Sequence, residues 1–363
     1  MRWLSVIVLC YGLNAVYGCH WLRNVNVSAK ENTSNKSHSF IISGCIEDVL
    51  FPNQKVEQLY IRGQDNVESL GKNTIKNMKN LEFLSFWGCP IRSITPDLVY
   101  KAPKLKAFQI SYSKINEIPR GAFNKLPALE MLRIHNNRID IIEDLSFANL
   151  RHLQRIHAGS NRLENWNREW FTNTTNLKVL DFQFNRIRTI PRRAFEKLTK
   201  LSEIYFDYNA ISIIHPGAFK GIRKLTYLGL RDNRLKEIKG DIFPNNLKIR
   251  TLLLDANYLN FLSNEVLQKV SAKDITLDNN PWKCPCLDRI KYWVHQNNGT
   301  IRETKDCFSG RIPVCAYATE FSQTCLEYVD QKVTEIYNKA LQDLNPPLPE
   351  YCHVQKWLSD EEI

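Results

Sequence analysis

The sequence predicts an α/β solenoid, in which similar short units stack and share one parallel β-sheet on the concave side. Two regularities predict it, and both have a period of 24 residues. Leucine or isoleucine opens a segment at 81, 105, 129, 153, 177, 201, 225 and 249, and phenylalanine recurs at 123, 147, 171, 195, 219 and 243. A fixed period of this length is typical of solenoids, because no single unit can bury its apolar face alone.

Each unit follows the template L-x-x-L-x-L-x-x-N-x-L, which is that of a leucine-rich repeat. The apolar first, fourth and sixth positions predict a short strand with one buried face. About ten such repeats fill residues 56–280. Prolines recur between the strands, so the fold we expect is a leucine-rich repeat horseshoe with an irregular convex side and few long helices.

Asparagine occupies the ninth position in most repeats, at 137, 161, 185, 209, 233, 257 and 280. Its amide can bond backbone groups of neighbouring loops, which predicts a ladder running along the stack. Cys89 falls in the same column, where a small side chain fits, so we expect a buried thiol and not a disulfide partner.

The chain ends indicate export. Residues 1–18 have the charged start, short apolar run and small residues of a signal peptide, and the run is too short to span a bilayer. The five glycosylation sequons favour a eukaryotic secretory route; they begin at Asn26, Asn32, Asn35, Asn173 and Asn298. We therefore expect a secreted, extracellular glycoprotein without a membrane span. Its net charge of +11 favours solubility over nucleic-acid binding.

Nine of the ten cysteines lie beyond the signal peptide, and an exported protein should use them in disulfides. We expect Cys19 and Cys45 to close an N-terminal cap over residues 19–55. The segment Asn280–Cys286, which opens a cysteine-rich stretch over 281–325, resembles the C-terminal flank of extracellular leucine-rich repeat proteins such as Toll-type receptors and Slit.

That resemblance implies two alternating disulfides, Cys284–Cys307 and Cys286–Cys325. Cys315 and Cys352 then remain, and either they pair with each other or Cys352 bonds to another chain. Metal binding by the Cys-x-Cys pair is disfavoured, since zinc sites usually separate paired cysteines by about two to four residues.

Apolar residues at three- and four-residue spacing predict an amphipathic helix over 326–344, followed by a proline-containing tail over 345–363. One interpretation is that the helix packs on the last repeat and completes the cap. The other is a dimerising helix, which is disfavoured because about two and a half heptads are too few for a coiled coil.

Candidate binding residues follow from the template, in which we expect the fifth, seventh and eighth positions to point outward from the concave sheet. The resulting face is segregated by residue type. Trp87 and Tyr112 lie near its N-terminal end, Arg133, His135, Arg155 and His157 lie at its centre, and Phe184, Tyr205, Tyr208 and Tyr227 follow, edged by Asp181, Asp207, Asp232 and Asp255.

Exposed aromatic residues beside arginine and aspartate are typical of interface hot spots. The alternative is that neighbouring tyrosines only stabilise the sheet. A metal site at His135 and His157 is disfavoured because no carboxylate is predicted to complete a ligand set beside them, whereas a pH-dependent contact fits imidazole chemistry. Arg138, Arg162, Arg186 and Arg234 form a basic rim, which serves either solubility and pairing with Asp140, Glu164 and Glu237, or an acidic partner or sulfated glycan.

The sequence contains no nucleophile–base pair, phosphate loop or metal cluster, so we predict neither an enzyme nor a cofactor. The predicted function is recognition of a protein or glycan partner through the concave face, in innate immunity. The signal peptide, repeat number and cysteine-bearing helical tail resemble the leucine-rich immune proteins of mosquitoes. Alternatives are an extracellular matrix or developmental adhesion protein, or a protein inhibitor.

The mosquito family implies secretion into haemolymph, disulfide-linked pairing with another leucine-rich repeat protein, here through Cys352, and association with complement-like thioester proteins. The chain differs from the longer members in lacking a long C-terminal coiled coil, and it fits a short, coil-less member.

Overall fold

A computed structural model describes residues 18–31, 37–51, 55–302, 314–317 and 323–343. Several predicted features lie outside the described residues: the signal peptide except Gly18, the sequons at Asn32 and Asn35, Cys307, Cys352 and the tail over 345–363.

One continuous sheet of thirteen strands runs along the molecule. Its strands are β1 (Leu22–Lys30), β2 (Ser37–Gly44), β3 (Gln58–Arg62), β4 (Phe83–Trp87), β5 (Ala107–Ser111), β6 (Met131–Arg133), β7 (Arg155–His157), β8 (Val179–Asp181), β9 (Glu203–Tyr205), β10 (Lys224–Gly229), β11 (Leu247–Leu253), β12 (Val270–Thr276) and β13 (Thr300–Ile301). From β3 onward neighbouring strands are parallel, whereas β1 runs antiparallel to both β2 and β3.

The register of this sheet follows the sequence period. Residues 24 apart pair directly, as in the series Leu132, Ile156, Leu180, Ile204 and Leu228. All five fourth-position side chains are fully buried. The prediction of a solenoid with a parallel concave sheet is therefore confirmed.

The phenylalanine column fills the convex half of the core. Rings from successive repeats lie 6.0 Å apart for Phe123 and Phe147, and 5.4 Å apart for Phe195 and Phe219. Trp166 takes a position that isoleucine holds in neighbouring repeats, and its ring lies 5.5 Å from Phe171 and 5.3 Å from Phe195. The core therefore contains an additional aromatic ring at this repeat.

The asparagine column forms the predicted ladder. The Asn161 amide nitrogen donates to the carbonyl oxygens of Ile134 and Ala158, both at 3.0 Å, and its oxygen accepts from the Ile139 N–H at 3.0 Å. Asn185, Asn209, Asn233 and Asn257 repeat this pattern. Cys89 is a buried free thiol, as predicted, and burial raises its pKa.

The described convex side contains short paired strands and single turns. The pairs are Ser69–Leu70 with Ser93–Ile94, Ile75–Lys76 with Val99–Tyr100, Glu117–Ile118 with Ile141–Ile142, and Thr189–Ile190 with Ile213–Ile214. Three 3-10 turns cover Asp48–Leu50, Arg168–Phe171 and Gly240–Ile242. The α-helices of the described chain are α1 (Asn264–Lys269), α2 (Cys284–Gln296) and α3 (Gln331–Gln342), and none reaches the length and apolarity needed to cross a bilayer.

Disulfides close both ends of the solenoid. Cys19 bonds to Cys45 and Cys286 bonds to Cys325, as predicted. The prediction for Cys284 was wrong, because Cys284 bonds to Cys315 and not to Cys307.

Backbone pairing next to Cys315 explains this correction. The N–H of Cys284 donates to the Ala316 carbonyl at 3.1 Å, and the N–H of Ala316 donates to the Trp282 carbonyl at 2.8 Å. The two cysteine Cα atoms are thereby held 5.0 Å apart, which is disulfide distance. The alternative pair Cys315–Cys352 is excluded as well.

Helix α3 packs against the last repeats. The Asp330 carboxylate accepts from the Lys332 N–H at 3.1 Å and from the Val333 N–H at 3.2 Å, so the helix begins later than residue 326. The buried side chain of Asn260 accepts from the Asp330 N–H at 2.7 Å. Val333 and Tyr337 are buried, so this helix completes the cap.

We expect the wild-type protein to show a disulfide-linked dimer on a non-reducing gel, and Cys352→Ser to abolish it. Of the nine cysteines beyond residue 18, six form disulfides and Cys89 is buried, which leaves Cys307 or a second chain as the partner of Cys352. Cys307→Ser is the control and should retain the dimer. Monomer in every lane would exclude the intermolecular bond.

Candidate functional site

The concave face presents its fifth-position residues side by side across the strands. Arg133, His157, Asp181 and Tyr205 are direct neighbours on β6 to β9. The eighth position lies beyond the strand, and its backbone is left-handed in successive repeats, with φ of 53° at Tyr112, 53° at Phe184 and 56° at Tyr208. Strand alternation therefore does not set its direction.

The basic centre is built around two histidines in different surroundings. His157 Nδ1 lies 3.2 Å from Asp181 Oδ2. Burial, together with His157 and Arg133, lowers the pKa of His135, whose Nδ1 lies 3.4 Å from Ser111 Oγ. Asp181 supplies one carboxylate beside His157, which does not complete a metal-ligand set. No group of three or more possible metal ligands occurs within the described ranges.

The N-terminal aromatic patch is formed by Trp87 and Tyr112. Their rings lie 5.2 Å apart, and the side chains are 44% and 53% exposed. The ring centroids of Tyr112 and His135 lie 5.9 Å apart in a T-shaped arrangement, so this patch adjoins the basic centre.

Phe184, Tyr205, Tyr208 and Tyr227 form a second aromatic patch, which we name the tyrosine cluster. Phe184 and Tyr208 stack almost parallel at 4.3 Å, and Tyr205 and Tyr227 stack at 4.3 Å. The Tyr205 hydroxyl donates to Glu203 at 2.9 Å, and the Tyr227 hydroxyl donates to Asp207 at 3.2 Å. The predicted aromatic residues are therefore in contact, in two stacked pairs.

Asp207, Asp232 and Asp255 lie behind these rings and form a carboxylate cluster around Arg231. Asp207 accepts from the Arg231 backbone N–H at 3.0 Å, and Asp255 accepts from Arg231 Nε at 2.6 Å and from the Thr276 hydroxyl. Asp207 and Asp255 are buried, so the prediction of an exposed acidic edge was wrong for these two.

Gly229 explains the burial of Asp207. A Cβ atom at position 229 would collide with the carboxylate of Asp207. Glycine leaves the space in which that carboxylate reaches across the neighbouring strand to the Arg231 backbone.

Burial dominates the electrostatics of the carboxylate cluster. It raises the pKa of Asp207 to about 7, against the hydrogen bonds from Arg231 and Tyr227. Burial and the nearby Asp255 raise the pKa of Asp232 to about 7. Burial also raises the pKa of Asp255, although Arg231 opposes the shift. Part of this cluster is therefore protonated near neutral pH.

The list of candidate residues omitted four residues that shape this surface: Glu203, Gly229, Arg231 and Thr276. Glu203 pairs with Tyr227 in the third-position column, from which the sequence analysis took Arg155 and Tyr227 alone. The 24-residue period could have indicated that Arg231 contacts Asp255, since the two residues occupy the same position in adjacent repeats. Nothing in the period indicated the role of Gly229.

The thirteen-stranded sheet, the asparagine ladder and the disulfide-closed ends define the chain as a leucine-rich repeat solenoid. Sequence profiles agree. The profile described as "Leucine rich repeat" matches residues 103–163, 151–209 and 175–235, and that described as "BspA type Leucine rich repeat region (6 copies)" matches residues 12–130. No curated protein matches the chain at a significant level.

Solved structures with a similar fold include the Drosophila Toll–Spätzle complex, with a TM-score of 0.58, 20% identity and coverage of 71% of this chain and 40% of that chain. The mouse RP105/MD-1 complex gives a TM-score of 0.58 at 22% identity, covering 68% and 42%. The complex of latrophilin 3, Unc5D and FLRT2 gives 0.50 at 19% identity, covering 77% and 90%. This chain spans about two fifths of the Toll and RP105 chains it matches.

Proposed function

We propose that this protein is a secreted binding protein that recognises a protein partner through its concave face. The observation that carries the proposal is the use of bulky aromatic residues at left-handed backbone positions. Tyr112, Phe184 and Tyr208 all have φ near 55°, where other repeats place Gly63, Gly88 or Asn136.

A left-handed backbone is costly for a bulky side chain and readily adopted by glycine or asparagine. The fold does not need these rings, because Tyr112 and Phe184 are 53% and 43% exposed and the repeats that lack them keep the same turn. Strain of this kind concentrates at functional sites. Tyr205 and Tyr227 support the sheet as well, because their hydroxyls bond to Glu203 and Asp207 within it.

The similar solved structures favour a protein as the partner, since Toll was solved with Spätzle and RP105 with MD-1. The sequons that the structure describes, at Asn26, Asn173 and Asn298, lie at exposed side chains and suit an extracellular glycoprotein. We place the role in innate immunity. Adhesion in development is the second candidate, and the Toll–Spätzle complex is described as a molecular hub in Drosophila development and innate immunity.

The test is affinity capture from extracellular fluid with the intact protein, followed by mass spectrometry. We expect Tyr205→Ala with Tyr208→Ala to lose the captured protein, because truncating central interface aromatics commonly costs about 2 kcal/mol or more. The matched control is Tyr100→Ala with Tyr292→Ala, which removes two tyrosines, 37% and 66% exposed, that lie outside the fifth, seventh and eighth columns.

Retention of the same partner by wild type and control, but not by the tyrosine-cluster variant, supports the proposal. Undiminished capture by a correctly folded Tyr205→Ala, Tyr208→Ala variant would move the site elsewhere. Induction of the transcript by infection separates the immune role from constant expression in developing tissue.

A further inference from the structure

A second charged surface lies outside the tyrosine cluster and the basic centre, on the flank that leads from the asparagine ladder to the convex side. Two adjacent segments, 162–168 and 186–193, form it. They run side by side, because the Arg186 N–H donates to the Leu163 carbonyl at 2.9 Å and the Arg188 N–H donates to the Glu164 carbonyl at 3.1 Å. We name this surface the arginine flank.

The arginine flank concentrates one sign of charge. Its two segments contain six arginines and a single acidic residue, Glu164; the arginines are Arg162, Arg168, Arg186, Arg188, Arg192 and Arg193. The matching segments of the neighbouring repeats do not share this charge, since 138–144 contains one arginine against Asp140, Glu143 and Asp144, and 210–217 contains no Lys, Arg, Asp or Glu. The charge is therefore specific to these two repeats and not a property of the template.

The flank also contains a cavity of about 480 Å³, lined by Trp166, Asn167, Arg168, Pro191, Arg192 and Arg193. Trp166 is buried behind it, and the three arginines are exposed. The rings of Phe171 and Phe195 pack against Trp166 in the core beneath this cavity. The arginines thus surround a concave depression and are not spread over a flat surface.

The acidic neighbours of these arginines do not block an incoming anion. Arg168 pairs with Glu169 at 3.1 Å and Arg193 with Glu196 at 3.8 Å, and all four side chains are between 30% and 52% exposed. Ion pairs that are exposed to solvent contribute little to stability, so a polyanion can replace the glutamates as the partner of these arginines. Guanidinium groups bind sulfate and carboxylate oxygens in a bidentate manner, which suits anionic sugars.

We propose that the arginine flank binds a sulfated polysaccharide, separately from the protein partner of the concave face. Repeats along the stack are spaced by about 5 Å, so the two segments bring their arginines close enough together for one sulfated chain to contact both. A nucleic acid is the less suitable polyanion. Proteins bind unpaired bases by stacking them on exposed aromatic rings. Trp166 is the single aromatic residue of these two segments, and it is buried.

The test uses heparin as the probe and compares three purified full-length proteins. The flank variant is Arg168→Ser, Arg192→Ser and Arg193→Asn; asparagine is chosen at 193 because the backbone there has φ of 55°. The control variant, Arg23→Ser, Arg223→Ser and Arg250→Ser, removes the same charge from exposed arginines elsewhere. We expect the flank variant to bind a heparin oligosaccharide about tenfold more weakly and the control to change much less, since local contacts add to overall charge.

Equal losses in the two variants, or wild-type elution from heparin at the same salt concentration as from a sulfonate resin, would overturn the proposal. Duplex DNA that binds as tightly, with the same dependence on the flank arginines, would assign the surface to nucleic acid instead. Thermal unfolding checks that each variant is folded. The Tyr205→Ala, Tyr208→Ala variant should keep heparin binding, so failure of one proposal is distinguishable from failure of the other.

Discussion

Phe195→Ala is expected to lower the free energy of unfolding by about 3–5 kcal/mol, because it removes a large ring from a core that cannot collapse to fill the space. Phe195 is fully buried, and its ring lies 5.3 Å from Trp166, 5.4 Å from Phe219 and 6.0 Å from Phe206. Leu180→Ala, at a fully buried strand position, should cost about 2–5 kcal/mol. Urea unfolding followed by circular dichroism measures both.

Ile213→Ala is the matched control, since Ile213 lies on the convex side one repeat further along and is 50% exposed. Its expected effect is about 0.5 kcal/mol. If Phe195→Ala and Ile213→Ala shifted the urea midpoint equally, the phenylalanine column would not be the core of the solenoid.

The second large effect concerns pH. Burial raises the pKa of Asp207 from 3.8 to about 7 in the folded protein, so the folded state holds a proton that the unfolded chain releases between these values. The contribution of this group to the free energy of unfolding is therefore greatest below about pH 4, and it is lost as the pH rises through 7. The loss is on the order of a few kcal/mol, at about 1.4 kcal/mol per pKa unit.

Asp207→Asn removes this ionisation. We expect the free energy of unfolding of wild type, minus that of the variant, to decrease between pH 5 and pH 8. Asp288→Asn is the control, because Asp288 is 71% exposed on α2, and its difference from wild type should stay constant. Parallel pH profiles for wild type and Asp207→Asn would show that this carboxyl is not desolvated as its burial indicates.

The period of 24 residues was sufficient to predict the sheet, its register and the ladder, because each repeat solves the same packing problem as its neighbours. Asn161 and Leu180 could be placed from the template alone. The hairpin of β1 and β2 could not, since it lies before the first repeat, and its antiparallel pairing carries no periodic signal.

The candidate site was predicted in its composition but not in its geometry. Tyr205 and Tyr208 were found because aromatic residues stand out at exposed template positions. The burial of Asp207 depends on a missing side chain at Gly229, and the bond between Cys284 and Cys315 depends on backbone pairing at Ala316. Both are consequences of contacts between segments, which a list of positions within one repeat does not contain.

The asparagine ladder also determines how such a chain can change in length. Each ladder amide bonds only its own turn and the turn before it, so removal of one complete unit of 24 residues would leave equivalent partners on both sides of the junction. One such deletion between Tyr112 and Phe184 would bring the N-terminal aromatic patch and the tyrosine cluster closer by one strand spacing, about 4.8 Å. Gain or loss of whole repeats therefore changes the distance between these two aromatic patches in fixed increments, while the rings within each patch keep their neighbours.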